Sequence, residues 1–199
     1  MRTVENFKYS DFSYNTGYAN YHTTTTAGPT YNDIPTVIYG SIPADYSVEN
    51  KGKYSVLEIA NWFLSKAEIS HLKLQKLCYY AQAWNYALKG FRLEDTDYQA
   101  WVHGPVSPAL YEHFKVFGYE GIRLKGEYKS RIDEDDKSLL EDVWATYGNL
   151  TGNALEALSH RELPWISARR GYMPGERCSV IISPESMASY YRSIYRGKE

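Results

Sequence analysis

From Tyr54 onward the apolar residues recur at helical spacing. Val56, Leu57, Ala60, Phe63 and Leu64 fall on one stripe, and Leu74, Leu77, Cys78, Ala81 and Leu88 repeat at three, four and seven. A period of 3.6 puts each set on one face, so two amphipathic helices are predicted. Ser70 is placed to cap the second with its hydroxyl, and Gly90 to end it in a left-handed conformation. Ser107-Pro108 and Ser183-Pro184 mark two further starts, since proline at the first helical position loses no hydrogen bond. The helix after Ser107 is predicted to turn Leu110, Phe114 and Phe117 inward. The one after Ser183 carries Met187, Tyr190, Tyr191, Ile194 and Tyr195. Between them, Leu139, Leu140, Val143, Trp144 and Tyr147 predict one helix, and Ala154, Leu155 and Leu158 a shorter one.

Strand signals are fewer. Residues 98–102 alternate and end at His103-Gly104-Pro105, a combination that turns the chain. Residues 122–124 and 128–132 flank Lys125-Gly126-Glu127 as a hairpin, and residues 179–182 form an apolar run suited to a sheet edge. Residues 1–50 read differently. Tyrosines at 9, 14, 18, 21, 31, 39 and 46 sit among Thr, Asn and Ser with little Leu, broken by Gly28-Pro29, Pro35, Gly40 and Pro43. Short aromatic strands fit this composition, and so does an arm that orders on a partner; the scarcity of aliphatic residues favours the arm. The expected architecture is mainly α, a compact domain of about five to seven helices with a small β-hairpin or short sheet, plus an irregular N-terminal extension. Residues 1–50 form the extension and 51–199 the domain.

Composition narrows the function classes. A formal charge of −2 and a pI near 6.2 argue against a protein whose main partner is a phosphate backbone. Cys78 sits in a helical stripe and behaves as a small core residue, so two cysteines suit a reducing cytosol. No apolar run approaches a bilayer span, and the first residues lack a signal-peptide core. A cytoplasmic protein is expected.

The candidate chemistry is thin. His103 ends a strand two residues before a helix cap, where it is placed either to bond exposed backbone at the turn, to meet a partner, or to act as an acid or base. Trp101 before it reads as core. His71, His103, His160 and Glu162 lack the H-E-x-x-H or C-x-x-C spacing that fixes two metal ligands on one face, and no nucleophile signature is present. No catalytic, cofactor or metal residue is therefore expected. Asp133-Glu134-Asp135-Asp136 lacks the glycine and distal glutamate of a calcium loop. Directly before a helix, its carboxylates favour the positive dipole end, with a face for a basic partner as the alternative. Arg169-Arg170, Arg177, Arg192, Arg196 and Lys198 read as a solvated basic surface, with an acidic partner or RNA as the alternative.

Three blocks carry more information together than singly. Leu72, Leu74, Lys76, Leu77, Tyr79, Tyr80, Ala81 and Trp84 are followed by Ala100, Trp101, His103, Gly104, Pro105 and Val106. His160, Glu162, Pro164, Trp165, Ala168 and Arg169 come third, with Tyr190-Tyr191 beyond them. In this order they resemble the Panacea domain, also called the SocA-like antitoxin or phage-associated GepA-like domain, over roughly residues 54–196. The resemblance implies a mainly helical domain that binds and neutralises a protein toxin encoded by an adjacent gene, or delivers it to a ClpXP-type protease. It also implies a bacterial, prophage or phage origin. No catalytic residues come with it, so the matched positions are fold markers first and candidate partner contacts second. Two alternatives stand beside it: a phage binder of a host immune protein, and a hydrolase or transferase using His103, His160 and Glu162. The last requires those three side chains to share one pocket.

Overall fold

The computed structural model describes residues 51–124, 126 and 128–195. The expectations for residues 1–50 and for Arg196 and Lys198 lie outside them. The described residues form seven α-helices and four short strands between Val56 and Ile194. Helix α1, Val56–Lys66, begins where the Ser55 hydroxyl accepts from the Glu58 N–H and a carboxylate oxygen of Asp95 accepts from the Val56 N–H at 2.8 Å. Two of its orphan donors are thus satisfied, and Ile59, Ala60 and Phe63 are fully buried.

Helix α2, His71–Lys89, is the axis of the domain. Ser70 caps it and Gly90 ends it at φ 76°, as predicted. Its apolar stripe implied one buried face, yet Gln75, Lys76, Gln82 and Asn85 are buried too, because other elements enclose it on several sides. Buried amides need partners. Gln75 brackets Ser107, donating to its carbonyl at 3.2 Å and accepting its N–H at 2.9 Å. The Gln82 carbonyl oxygen accepts from the Leu93 and Glu94 N–H groups, and Asn85 donates to the Phe91 carbonyl at 2.7 Å. The polar side chains of α2 therefore tie down the irregular chain that follows it.

Strand β1, Ile69–Ser70, pairs antiparallel with β4, Gly121–Ile122. Among the described residues, the predicted hairpin across Gly126 is absent. Residues 128–132 run irregularly along α1, where the Tyr128 hydroxyl donates to the Glu58 carbonyl and the Arg131 N–H to the Glu58 carboxylate. Strand β2, Gln99–Trp101, pairs with β3, Gly104–Val106, so Gly104 and Pro105 belong to a strand as well as to the turn. The run 179–182 does join an edge: Ala100 donates to the Val180 carbonyl and Ile182 to the Tyr98 carbonyl.

Helix α3, Pro108–Phe114, is capped by Ser107 and passes into a 3-10 turn, Lys115–Phe117. That tightening changes the period, so Leu110 and Phe114 are buried as expected while Phe117 is exposed. Helices α4 (Glu134–Tyr147), α5 (Gly152–Ser159), α6 (Leu163–Ala168) and α7 (Pro184–Ile194) complete the domain. Helix α7 packs along α2, where Tyr191 is fully buried against Tyr79, Tyr80 and Trp84. No helix among the described residues is long and apolar enough to cross a membrane.

The acidic run before Leu139 departs from simple capping. Asp133 occupies the cap position without a side-chain cap bond. Asp136 is buried, accepting from Lys53 (2.6 Å), Lys89 (2.5 Å) and the Tyr54 hydroxyl (2.9 Å). Burial works to raise its pKa, and these donors outweigh burial and hold it below the usual aspartate value. Asp136→Asn should destabilise the domain by about 2 kcal/mol, because Lys53 and Lys89 stay partly wet and soften the loss. Urea unfolding at neutral pH measures this, and an effect near zero would reduce the cluster to surface decoration.

Candidate functional site

The three sequence blocks meet in space. Lys76, Tyr79, Tyr80 and Trp84 lie on α2, Trp101 to Pro105 lie in the β2–β3 hairpin, and His160 to Arg169 run from the C-cap of α5 through α6. Lys76 joins the first block to the second. It is fully buried, and its ammonium donates to the Pro105 carbonyl at 3.0 Å. Burial pushes its pKa down to about 7, only partly offset by the Glu156 carboxylate. Gly104, at φ 90°, leaves the space that the lysine occupies; a Cβ there would lie 2.7 Å from Lys76 Cε and 2.8 Å from Ser159 Oγ. An amine near neutrality is chemically competent as a nucleophile or base, but at 0% exposure it meets no solute.

Glu162 joins the first block to the third. Its carboxylate accepts from the hydroxyls of Tyr191 (2.6 Å) and Tyr80 (3.3 Å). Burial raises its pKa to about 7, against the lowering effect of those two bonds. Tyr80 stacks on Tyr147 at 4.0 Å, and Trp84 donates its indole N–H to the Tyr147 hydroxyl at 3.0 Å. Tyr79 is fully buried, its ring edge-on to Tyr80 and Tyr98.

The third block also grips the second. Trp165 donates its indole N–H to the Trp101 carbonyl at 3.0 Å, and Pro164 is buried in the first turn of α6. Arg169 is buried rather than solvated. Its guanidinium donates to the carbonyls of Ala100 (2.8 Å) and Glu176 (2.7 Å) and lies 5.2 Å from the Trp165 ring centre. Trp101 is half-buried against Tyr111 at 4.9 Å, not in the core proper.

His103, His160 and Glu162 do not assemble as one catalytic group. His103 points outward and bonds the Glu156 carboxylate at 3.0 Å, not the backbone of its own turn. His160 stacks on Trp165 at 4.0 Å, with burial lowering its pKa, and Glu162 faces the tyrosines. Among the described residues no three His, Cys, Asp or Glu side chains converge as a metal site. Sequence reading missed Gln75, Gln82, Ser159 and the pairing of Tyr191 with Glu162. The two glutamines were detectable, since seven residues apart on a helix they share a face and mark a polar stripe inside an apolar one.

The geometry defines a class: a helical domain whose characteristic polar side chains brace one helix, one hairpin and one short helix against each other. The model of the family "Antitoxin SocA-like, Panacea domain" matches residues 74–166, the span holding most of these braces. Antitoxin SocA of Caulobacter vibrioides (strain NA1000 / CB15N) is 33% identical over 124 residues, covering 54% of this chain and 66% of the relative. No solved structure matches. Residues 74–166 carry the likeness to the SocA-like Panacea domain family.

Proposed function

We propose that this chain is an antitoxin that neutralises a protein toxin, encoded by an adjacent gene, by direct binding. The carrying observation is where the motif chemistry points. Lys76, Glu162, Trp165 and Arg169 direct their polar groups to internal partners, which leaves binding to the outer surface and to residues 1–50. Likeness to a protein named Antitoxin SocA supports the reading. On this reading residues 51–199 are the domain, and residues 1–50 contribute to the choice of toxin. Neutralisation proceeds either by covering the toxin's active surface or by presenting it to a ClpXP-type protease.

Co-expression with the adjacent gene tests this. Growth arrest caused by the neighbour should be relieved, and a stable complex should be recovered. Removing residues 1–50 should weaken the complex if the extension takes part. Rescue that persists in a strain lacking ClpXP would select occlusion over delivery. No arrest, no rescue and no complex would remove the paired-toxin reading and turn attention to a host or phage target.

A further inference from the structure

One outward-facing apolar feature begins within the matched motif and runs past it. Leu163 and Ile166, three apart on α6, are 53% and 44% exposed, and Tyr172 and Met173 in the next loop are 38% and 71% exposed. Single exposed apolar residues are ordinary, but four within one short segment are not. The loop is also held firmly. Arg169, itself buried, donates to the Met173 and Glu176 carbonyls and lies 5.9 Å from the Tyr172 ring centre. The Met173 N–H donates to the Glu176 carboxylate at 2.8 Å, and the Glu176 N–H returns to the Met173 carbonyl at 3.0 Å. A buried guanidinium and a closed turn thus fix in place a loop whose tip is an exposed methionine. Such pre-organisation lowers the entropy lost on binding.

Charge states what would cover it. In residues 161–177, Arg161 and Arg177 are exposed against the exposed carboxylate of Glu176, on a chain whose net charge is −2. The Glu176 carboxylate is already engaged with backbone. We infer that Leu163, Ile166, Tyr172 and Met173, with Arg161 and Arg177 in the same segment, form a docking face for a protein surface of apolar side chains flanked by carboxylates. This rests on the antitoxin reading and assigns the face that meets the toxin. Aliphatic and thioether side chains gain nothing from phosphate, which favours a protein over RNA as occupant.

The test uses the full chain and the purified protein encoded by the adjacent gene. Ile166→Glu and Met173→Glu should each weaken the complex at least roughly tenfold while leaving thermal unfolding unchanged. Arg161→Glu with Arg177→Glu should slow association and flatten its salt dependence. Val116→Glu, at an 80% exposed position on the 3-10 turn, should change nothing. A wild-type complex that Ile166→Glu and Met173→Glu leave within twofold would overturn this face and spare the antitoxin reading. Absence of any wild-type complex would overturn both. Binding of a single-stranded oligonucleotide that is lost in the arginine variant, beside an unaffected protein complex, would also overturn the assignment.

Discussion

Lys76→Met is expected to flatten the stability of the domain between pH 7 and pH 10.5. The folded ammonium titrates near 7 because it is buried with one carbonyl as its donor target, whereas the unfolded side chain titrates near 10.5. Between these values the unfolded chain holds more protons, so stability climbs with pH. Below 7 the cost of the buried charge is fully present, and above 10.5 it is gone. The span corresponds to roughly 5 kcal/mol, and methionine of similar reach removes it without opening a cavity. Glu162 acts with the opposite sign. Its folded pKa near 7 exceeds the ordinary 4.5, so the stability it confers is present below 4.5 and is lost as pH rises to 7. Glu162→Gln should remove roughly 3 kcal/mol of that fall. These two groups together place their greatest cost near neutrality. Urea titrations of both variants and wild type from pH 4 to pH 10 measure the difference curves. A Lys76→Met curve that runs parallel to wild type above pH 7 would show the amine to be charged and hydrated in the fold.

Gly104→Ala should be the most damaging methyl group that can be added to the hairpin. Two penalties coincide there. A positive φ of 90° strains any L-residue, and the new Cβ meets Lys76 Cε and Ser159 Oγ well inside contact distance. About 3 kcal/mol of lost stability is expected. Shortening the lysine does not rescue it fully, since Ser159 and the backbone strain remain. Comparing Gly104→Ala with Gly104→Ala/Lys76→Ala by chemical denaturation separates the two penalties. A single variant within about 0.5 kcal/mol of wild type would show that the hairpin lifts away from α2 at little cost.

What could be read from the sequence was whatever short-range chemistry decides. Ser70, Ser107 and Ser183 cap the helices predicted for them because a cap depends on neighbours three residues away. Cys78 lies in the core because its helix stripe put it there. Apart from Phe117, exposed by a local 3-10 turn, the failures are long-range. Residues 128–132 carry strand composition, but β4 finds its partner at Ile69–Ser70, far back in the chain. Asp136 resembled a dipole cap until Lys53, Tyr54 and Lys89 closed around it, and Arg169 looked like surface until the hairpin carbonyl met it. Of the motif residues, order along the chain identified the set, and their pairing did not follow from it. Nothing local joins Glu162 to Tyr191, or Lys76 to Pro105.

The packing of α7 against α2 has a consequence for synthesis. Tyr79, Tyr80 and Trp84 leave the ribosome about 110–115 residues before Ile194, the end of the helix that covers them. At about 5–20 residues per second this interval lasts roughly 5–20 s. Throughout it the nascent chain presents an uncovered aromatic flank that chaperones and proteases can sample. Translation speed over residues 90–194 therefore becomes a control on how much of the protein survives to meet its partner.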